Sequence, residues 1–228
     1  MSTLFSMPRV KSHQPLAGFG AVAVELLLRP ERFLRALVRF RPDAKPLLLI
    51  WIVGVSASLA NLSSRITVMN TMGLEIPTFF TQWVKVWPLV IAGGLVAGPV
   101  AWIFHGWWYR VRLRFSGAPP DQISHNAARL VWLYATAVWA VPAVAVDLMA
   151  TPLHTDLQAA ITKDFFGLTV LAMCCWACYV SYRGAVSCFP VKRGPARWWF
   201  LILPLAVYGC QIAVFMGLPA VRDALLVR

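Results

Sequence analysis

The chain alternates long uncharged runs with short basic segments. No charged residue occurs from Pro46 to Ser64, from Val86 to Tyr109, from Phe165 to Tyr182 or from Trp198 to Val221. A further run, Ala128 to Ala150, is apolar apart from Arg129 and Asp147. Runs of about 20 residues match a hydrocarbon layer roughly 30 Å thick at about 1.5 Å per helical residue. Only helices or closed barrels satisfy their backbone groups in such a layer, and the polar alternation of a barrel strand is missing. The pattern therefore predicts an all-α membrane protein with five transmembrane helices in residues 46–228.

Upstream the pattern changes. Residues 1–18 read as a flexible tail, polar and aperiodic up to Pro15, with no small-residue cleavage site after a short apolar core. Residues 19–45 read as a basic amphipathic helical segment. In "RPERFLRALVRF", Phe33, Leu34, Leu37 and Val38 recur at helical spacing while Arg32, Arg35 and Arg39 lie elsewhere on the helix. Pro30 suits a helix start and Pro42 a stop. Such a helix lies at the headgroups of an anionic leaflet or packs on the protein's own cytoplasmic loops, and the sequence leaves both open.

Charge orients the spans. Arg9, Lys11, Arg29, Arg32, Arg35, Arg39, Arg41 and Lys45 precede the first. Arg110, Arg112, Arg114 and Arg129 lie between the second and third, and Arg183, Lys192, Arg193 and Arg197 between the fourth and fifth. The other side holds Arg65, Lys85, Lys163, Arg222 and Arg228. The positive-inside rule then predicts a multi-pass protein of the plasma membrane, specifically a bacterial inner membrane, with a cytoplasmic N-terminus and an outside C-terminus. In "WWYRVRLRFSG" the aromatic trio Trp107, Trp108 and Tyr109 reads as an interfacial belt, with Arg110, Arg112 and Arg114 as the anchor behind it. The device recurs at Arg197, Trp198 and Trp199. These arginines and tryptophans, with Arg32, Arg35 and Arg39, are the candidate headgroup or interface residues.

Composition agrees. Of the 228 residues 59% are hydrophobic and only 13% charged, and the mean hydropathy is +0.66. Average soluble domains carry about 25% charged residues, so this chain has too few to cover a water-facing globule. The formal charge of +12 is spread over separate segments and accompanies no nucleic-acid recognition motif, so no nucleic-acid partner is expected. The cysteine count is odd, at five, and Cys175 and Cys178 form a lone CxxC in an apolar run. Small buried hydrophobes are the plain reading, with no cofactor or metal.

Chemistry has little to work with. His105 and Asp147 are the ionisable residues inside the spans, thiols aside, and no HExxH, GxSxG or phosphate loop occurs. No catalytic residue is assigned. Asp147 near the outer end of its span fits an interfacial role, and an ion-coupling role is the alternative. Gly94 and Gly98 suit close helix approach, with Pro99 behind them, while Pro142 and Pro204 also interrupt spans.

Several of these elements together resemble the Yip-domain family of integral membrane proteins, whose eukaryotic members interact with Ypt/Rab GTPases. They are the amphipathic "RPERFLRAL" before a first span, "RFSGAPPDQISHNAARLVWLYATAVWAVP", and "YVSYRGAVSCFPVKRGPARWWFLILPLAVYG". The Asp-Leu-Tyr-Gly-Pro stretch of the eukaryotic branch is missing, so the resemblance is to the prokaryotic branch and implies five helices, a cytoplasmic N-terminus and no established reaction. The expectation is a non-enzymatic membrane scaffold or accessory subunit whose partners are anionic lipids and another membrane protein. The alternative is a small transporter or channel-like subunit using Asp147 and the proline-broken helices.

Overall fold

The computed structural model describes residues 19–150, 164–211 and 213–214, and every regular element among them is helical. Helix α1 is Phe19–Leu28 and α2 is Pro30–Phe40. Three long helices follow: α3 (Leu47–Thr71), α4 (Trp83–Phe115) and α5 (His125–Ala150). Helix α6 is Asp164–Cys188. Helix α7 opens with Arg193–Arg197, passes through a π-helical turn at Trp198–Ile202 and stays helical over residues 203–211. The expected tail, the 151–163 connection and the end of the expected fifth span lie outside the described residues.

Helices α3, α4 and α5 are each long and apolar enough to cross a membrane, over Leu47–Ile66, Val84–Phe115 and His125–Met149. At 33 residues α4 measures about 50 Å, so it outruns a hydrocarbon layer by several turns. The sequence expected interruptions at Pro99, Pro142 and Pro204, but Pro99 and Pro142 lie inside continuous helices, as does Pro88, and Pro204 follows the π-helical turn within α7. The neighbouring turns hold the backbone, as membrane helices commonly allow.

The expected basic amphipathic segment is two helices. Arg29 leaves the helical region (φ −135°, ψ 56°) because a residue before proline is driven from it, and Pro30 then starts α2. The apolar face of α2 is covered by protein. Leu34 is fully buried, and the Phe33 ring lies 5.3 Å from that of Tyr134 on α5. Gly184 on α6 makes the fit possible: a methyl group there would come within 2.9 Å of Leu34 Cδ1 and collide with Val131 on α5. Burying one such leucine away from water contributes roughly 1.5–3 kcal/mol.

Helices α3 and α4 run antiparallel with almost no space between their backbones. A side chain at Gly54 would strike the backbone of Gly94 and Gly98, and one at Gly98 would strike the Ile50 carbonyl. The expectation of close approach at Gly94 and Gly98 is met, with Gly54 as its counterpart. Lipid tails are as apolar as the side chains they replace, so contact between such helices rests on dispersion, and small residues maximise it.

The segments rich in arginine and lysine meet at one end of the bundle. The Lys192 amide donates to the Ser116 carbonyl at 2.8 Å, joining the α6–α7 connection to the end of α4. Asn126 at the start of α5 donates to Asp43 after α2 at 3.3 Å. Glu31 of α2 pairs with Arg183 of α6. The larger of the two buried clusters includes Leu34 with Tyr109, Leu113, Leu130, Leu133, Val180 and Phe200.

Candidate functional site

Where the elbow between α1 and α2 lies over α6, the surface forms a groove of about 590 Å³. Arg29, Arg32, Arg35 and Arg39 line one wall, and Trp176, Tyr179 and Arg183 of α6 the other. Helical spacing places the arginines there. Residues 32, 35 and 39 fall on one exposed stripe, turned away from the buried Leu34. Arg183 is the first charge after the uncharged run that ends at Tyr182.

Two of the five guanidinium groups have carboxylate partners: Arg183 pairs with Glu31, and Arg32 Nε lies 3.7 Å from Glu25 Oε1. Among the described residues, Arg29, Arg35 and Arg39 have no carboxylate within ion-pair distance. Arg183 also sits over the Tyr179 ring, 5.7 Å from its centroid. The groove is therefore basic on its open side and aromatic towards α6, where Trp176 is exposed.

The structure thus brings together Arg32, Arg35 and Arg39 of the sequence candidates. It separates Arg112 from Arg110 and Arg114: alternate helical positions are about 200° apart, so Arg112 faces away while Arg110 and Arg114, one turn apart, share a face. Arg110 Nη1 lies 2.7 Å from His125 Nε2 and Nη2 donates to the Pro120 carbonyl at 3.2 Å, which fastens the α4–α5 connection. Arg112 points inward, 5.4 Å from the Tyr109 ring centroid and 4.8 Å from that of Phe200. Arg114 is exposed.

The aromatic belt divides for the same reason. Trp107 is half exposed and Trp108 lies at the surface, but Tyr109 is fully buried and its hydroxyl donates to the Ser181 carbonyl at 2.9 Å. Tyr109 is thus a tie between α4 and α6 rather than a belt residue. Trp198 is exposed, whereas Trp199 is partly buried and stacks on Phe115 at 5.0 Å between centroids.

Asp147 is partly buried three residues before the end of α5 and lines neither the groove nor the shallow hollow at Ser64, Arg65, Val68 and Met69. His105 stacks on Trp132 with ring centroids 5.3 Å apart. Of the CxxC pair, Cys175 is exposed and Cys178 buried.

Arg29, Glu31, Trp176, Tyr179 and Arg183 were not among the sequence candidates. Two signals pointed to them: Glu31 in the first turn of a basic helix, and a lone arginine directly after an uncharged run. Their meeting depends on α2 crossing α6, which no local pattern encodes. Comparison with family models, with curated proteins and with solved structures finds no match for this chain.

Proposed function

We propose that the chain is a non-enzymatic scaffold or accessory subunit of a cytoplasmic membrane, held at the anionic leaflet by its basic end and presenting its helices to a partner membrane protein. The observation that carries this reading is the gathering of α2, the α4–α5 connection and the α6–α7 connection at one end of an apolar bundle. These are the segments that charge alone assigns to the cytoplasmic side. Helix α6 is 25 residues long and uncharged from Phe165 to Tyr182, and α7 carries the uncharged run that starts at Trp198; we take these as two further spans. The Yip-like order of elements in the sequence, with its cytoplasmic N-terminus, accords with this arrangement.

Two polar groups inside the bundle hold helices together, the Tyr109 hydroxyl on the Ser181 carbonyl and Arg112 Nη1 on the Trp199 carbonyl. The apolar surface is extensive by contrast. Leu95, Val96, Val100, Ile103 and Phe104 are all more than half exposed along α4. A transporter would place Asp147 on a polar path, and the two concave surfaces described lie elsewhere.

The test is site-specific photo-crosslinking in native membranes from Val96, Val100 and Trp198. A discrete adduct with one membrane protein, retained in Asp147→Asn, is the expected result. Absence of any discrete adduct, together with loss of a measurable solute flux in Asp147→Asn, would replace the scaffold with a transporter.

A further inference from the structure

We infer that the groove between α2 and α6 is a binding site for a single anionic phospholipid, its phosphate held by Arg35 and Arg39 and its acyl chains lying along α6 beside Trp176. The inference deepens the proposed function, because it rests on that reading's placement of the basic end at the cytoplasmic headgroup level.

Three observations converge. First, five arginines line one groove against a single lining carboxylate, Glu31, which is already paired with Arg183. Arg35 and Arg39 are one helical turn apart, so like charges repel unless an anion lies between them. The planar guanidinium fork fits the oxygens of a phosphate, and each such contact is charge-assisted. Second, the surface here is concave, an open groove of about 590 Å³ in which arginines and aromatic rings face one another. Third, its walls differ in chemistry along the direction a lipid would take. Arginines occupy the α2 side, while Trp176 and Tyr179 continue down α6 into the uncharged run from Phe165 to Tyr182. Exposed Leu28 adds an apolar rim at the elbow.

A free phosphate would use the arginines and leave the aromatic wall idle. A phospholipid uses both, since its headgroup and tails are joined at the depth where the groove changes from basic to apolar. Basic pockets between membrane helices on the cytoplasmic side are suited to anionic headgroups on the same physical grounds.

The experiment uses the full chain in a neutral detergent, probed with phosphatidylglycerol, phosphatidylcholine of identical acyl chains, and inorganic phosphate. Native mass spectrometry should show one phosphatidylglycerol retained per chain, with phosphatidylcholine at least tenfold weaker. Arg35→Gln combined with Arg39→Gln should lower phosphatidylglycerol affinity at least tenfold. The paired Lys substitutions should lose several-fold, having charge without the fork. Arg65→Gln, far from the groove, should match the parent. Phosphatidylglycerol brominated on its acyl chains should quench a portion of the tryptophan emission that is missing in Trp176→Phe.

Equal retention of phosphatidylcholine would overturn the site, as would an equal loss in Arg65→Gln, which would mean diffuse charge attraction. Displacement of the lipid by equimolar inorganic phosphate would make it a free-anion site instead. The scaffold reading fails separately: reporters placing the basic end outside the cytoplasm would refute its topology without touching lipid affinity in detergent.

Discussion

Arg112 donates from Nη1 to the backbone oxygen of Trp199 across 3.3 Å, joining α4 to the π-helical turn of α7. In that turn the Leu203 amide bonds to the Trp198 carbonyl, five residues back. Continued one residue on, the register would require Pro204 to donate to Trp199, and proline has no amide hydrogen. The guanidinium supplies the missing donor. A residue that the sequence presents as a lipid anchor is thus committed to a backbone carbonyl, with the Tyr109 and Phe200 rings beside it.

This relationship predicts coupling between Arg112 and Pro204. Arg112→Met removes a charged hydrogen bond and a ring contact, a loss of about 2–3 kcal/mol. Pro204→Ala restores a backbone amide that can serve Trp199. The Arg112→Met penalty should therefore be smaller by about 1 kcal/mol in the Pro204→Ala background, measured by a double-mutant cycle on unfolding in mixed micelles. Strict additivity would show that the two residues do not share the carbonyl.

Glycine substitutions should separate by what they meet. Gly98→Ala collides with the Ile50 carbonyl and Gly54→Ala with the backbone of Gly94 and Gly98, so both should cut the yield of folded protein severely. Gly93→Ala meets only the Ser58 hydroxyl, 3.2 Å away, and Gly209→Ala meets nothing within 4 Å. These two should stay within about 0.5–1 kcal/mol of the parent, as expected for Gly to Ala in a helix with room for the methyl group. Thermal stability in detergent checks the order.

Tyr109→Phe keeps the ring against Phe200 and deletes the hydroxyl that reaches Ser181. The carbonyl of Ser181 is a helical acceptor with a second lone pair, so the expected cost is modest, about 1 kcal/mol. Tyr109→Ala, which empties a fully buried site, should cost about 3–5 kcal/mol, as large-to-small changes at aromatic core positions do. Trp107→Ala, at a half-exposed position, should change unfolding by far less. Comparable losses at positions 107 and 109 would contradict the inward placement of Tyr109.

Topology follows from charge. Reporter fusions in the Gly117–Gln122 connection should read as cytoplasmic, and fusions after Arg228 as outside. Both on the same side would sink the five-span arrangement.

The apolar helices α3, α4 and α5 and the basic segments were legible in the sequence because both are one-dimensional properties: length without charge, and charge between lengths. The close approach at Gly94 and Gly98 was legible too, since small residues four apart leave a bare stripe whatever the partner. Tyr109 and Arg112 were not. Trp107, Trp108 and Tyr109 look alike as a string, yet successive helical residues point about 100° apart, and only the arrival of α6 and α7 decides which one is enclosed. The groove was half legible. Its α2 wall follows from helical spacing, but its α6 wall belongs to residues far along the chain.

That separation has a consequence for how the protein is made. Leu34 docks at Gly184, yet the two are 150 positions apart in the chain. At about 5–20 residues per second, α2 emerges from the ribosome roughly 8–30 seconds before its seat on α6 exists. Throughout that interval Phe33 and Leu34 lack their apolar seat on α6, and under the proposed topology the leaflet below takes its place. Under the proposed topology, the helix that ends up as a lid on the bundle starts life as a raft on the membrane, its arginines keeping it afloat until the rest of the chain comes up to meet it.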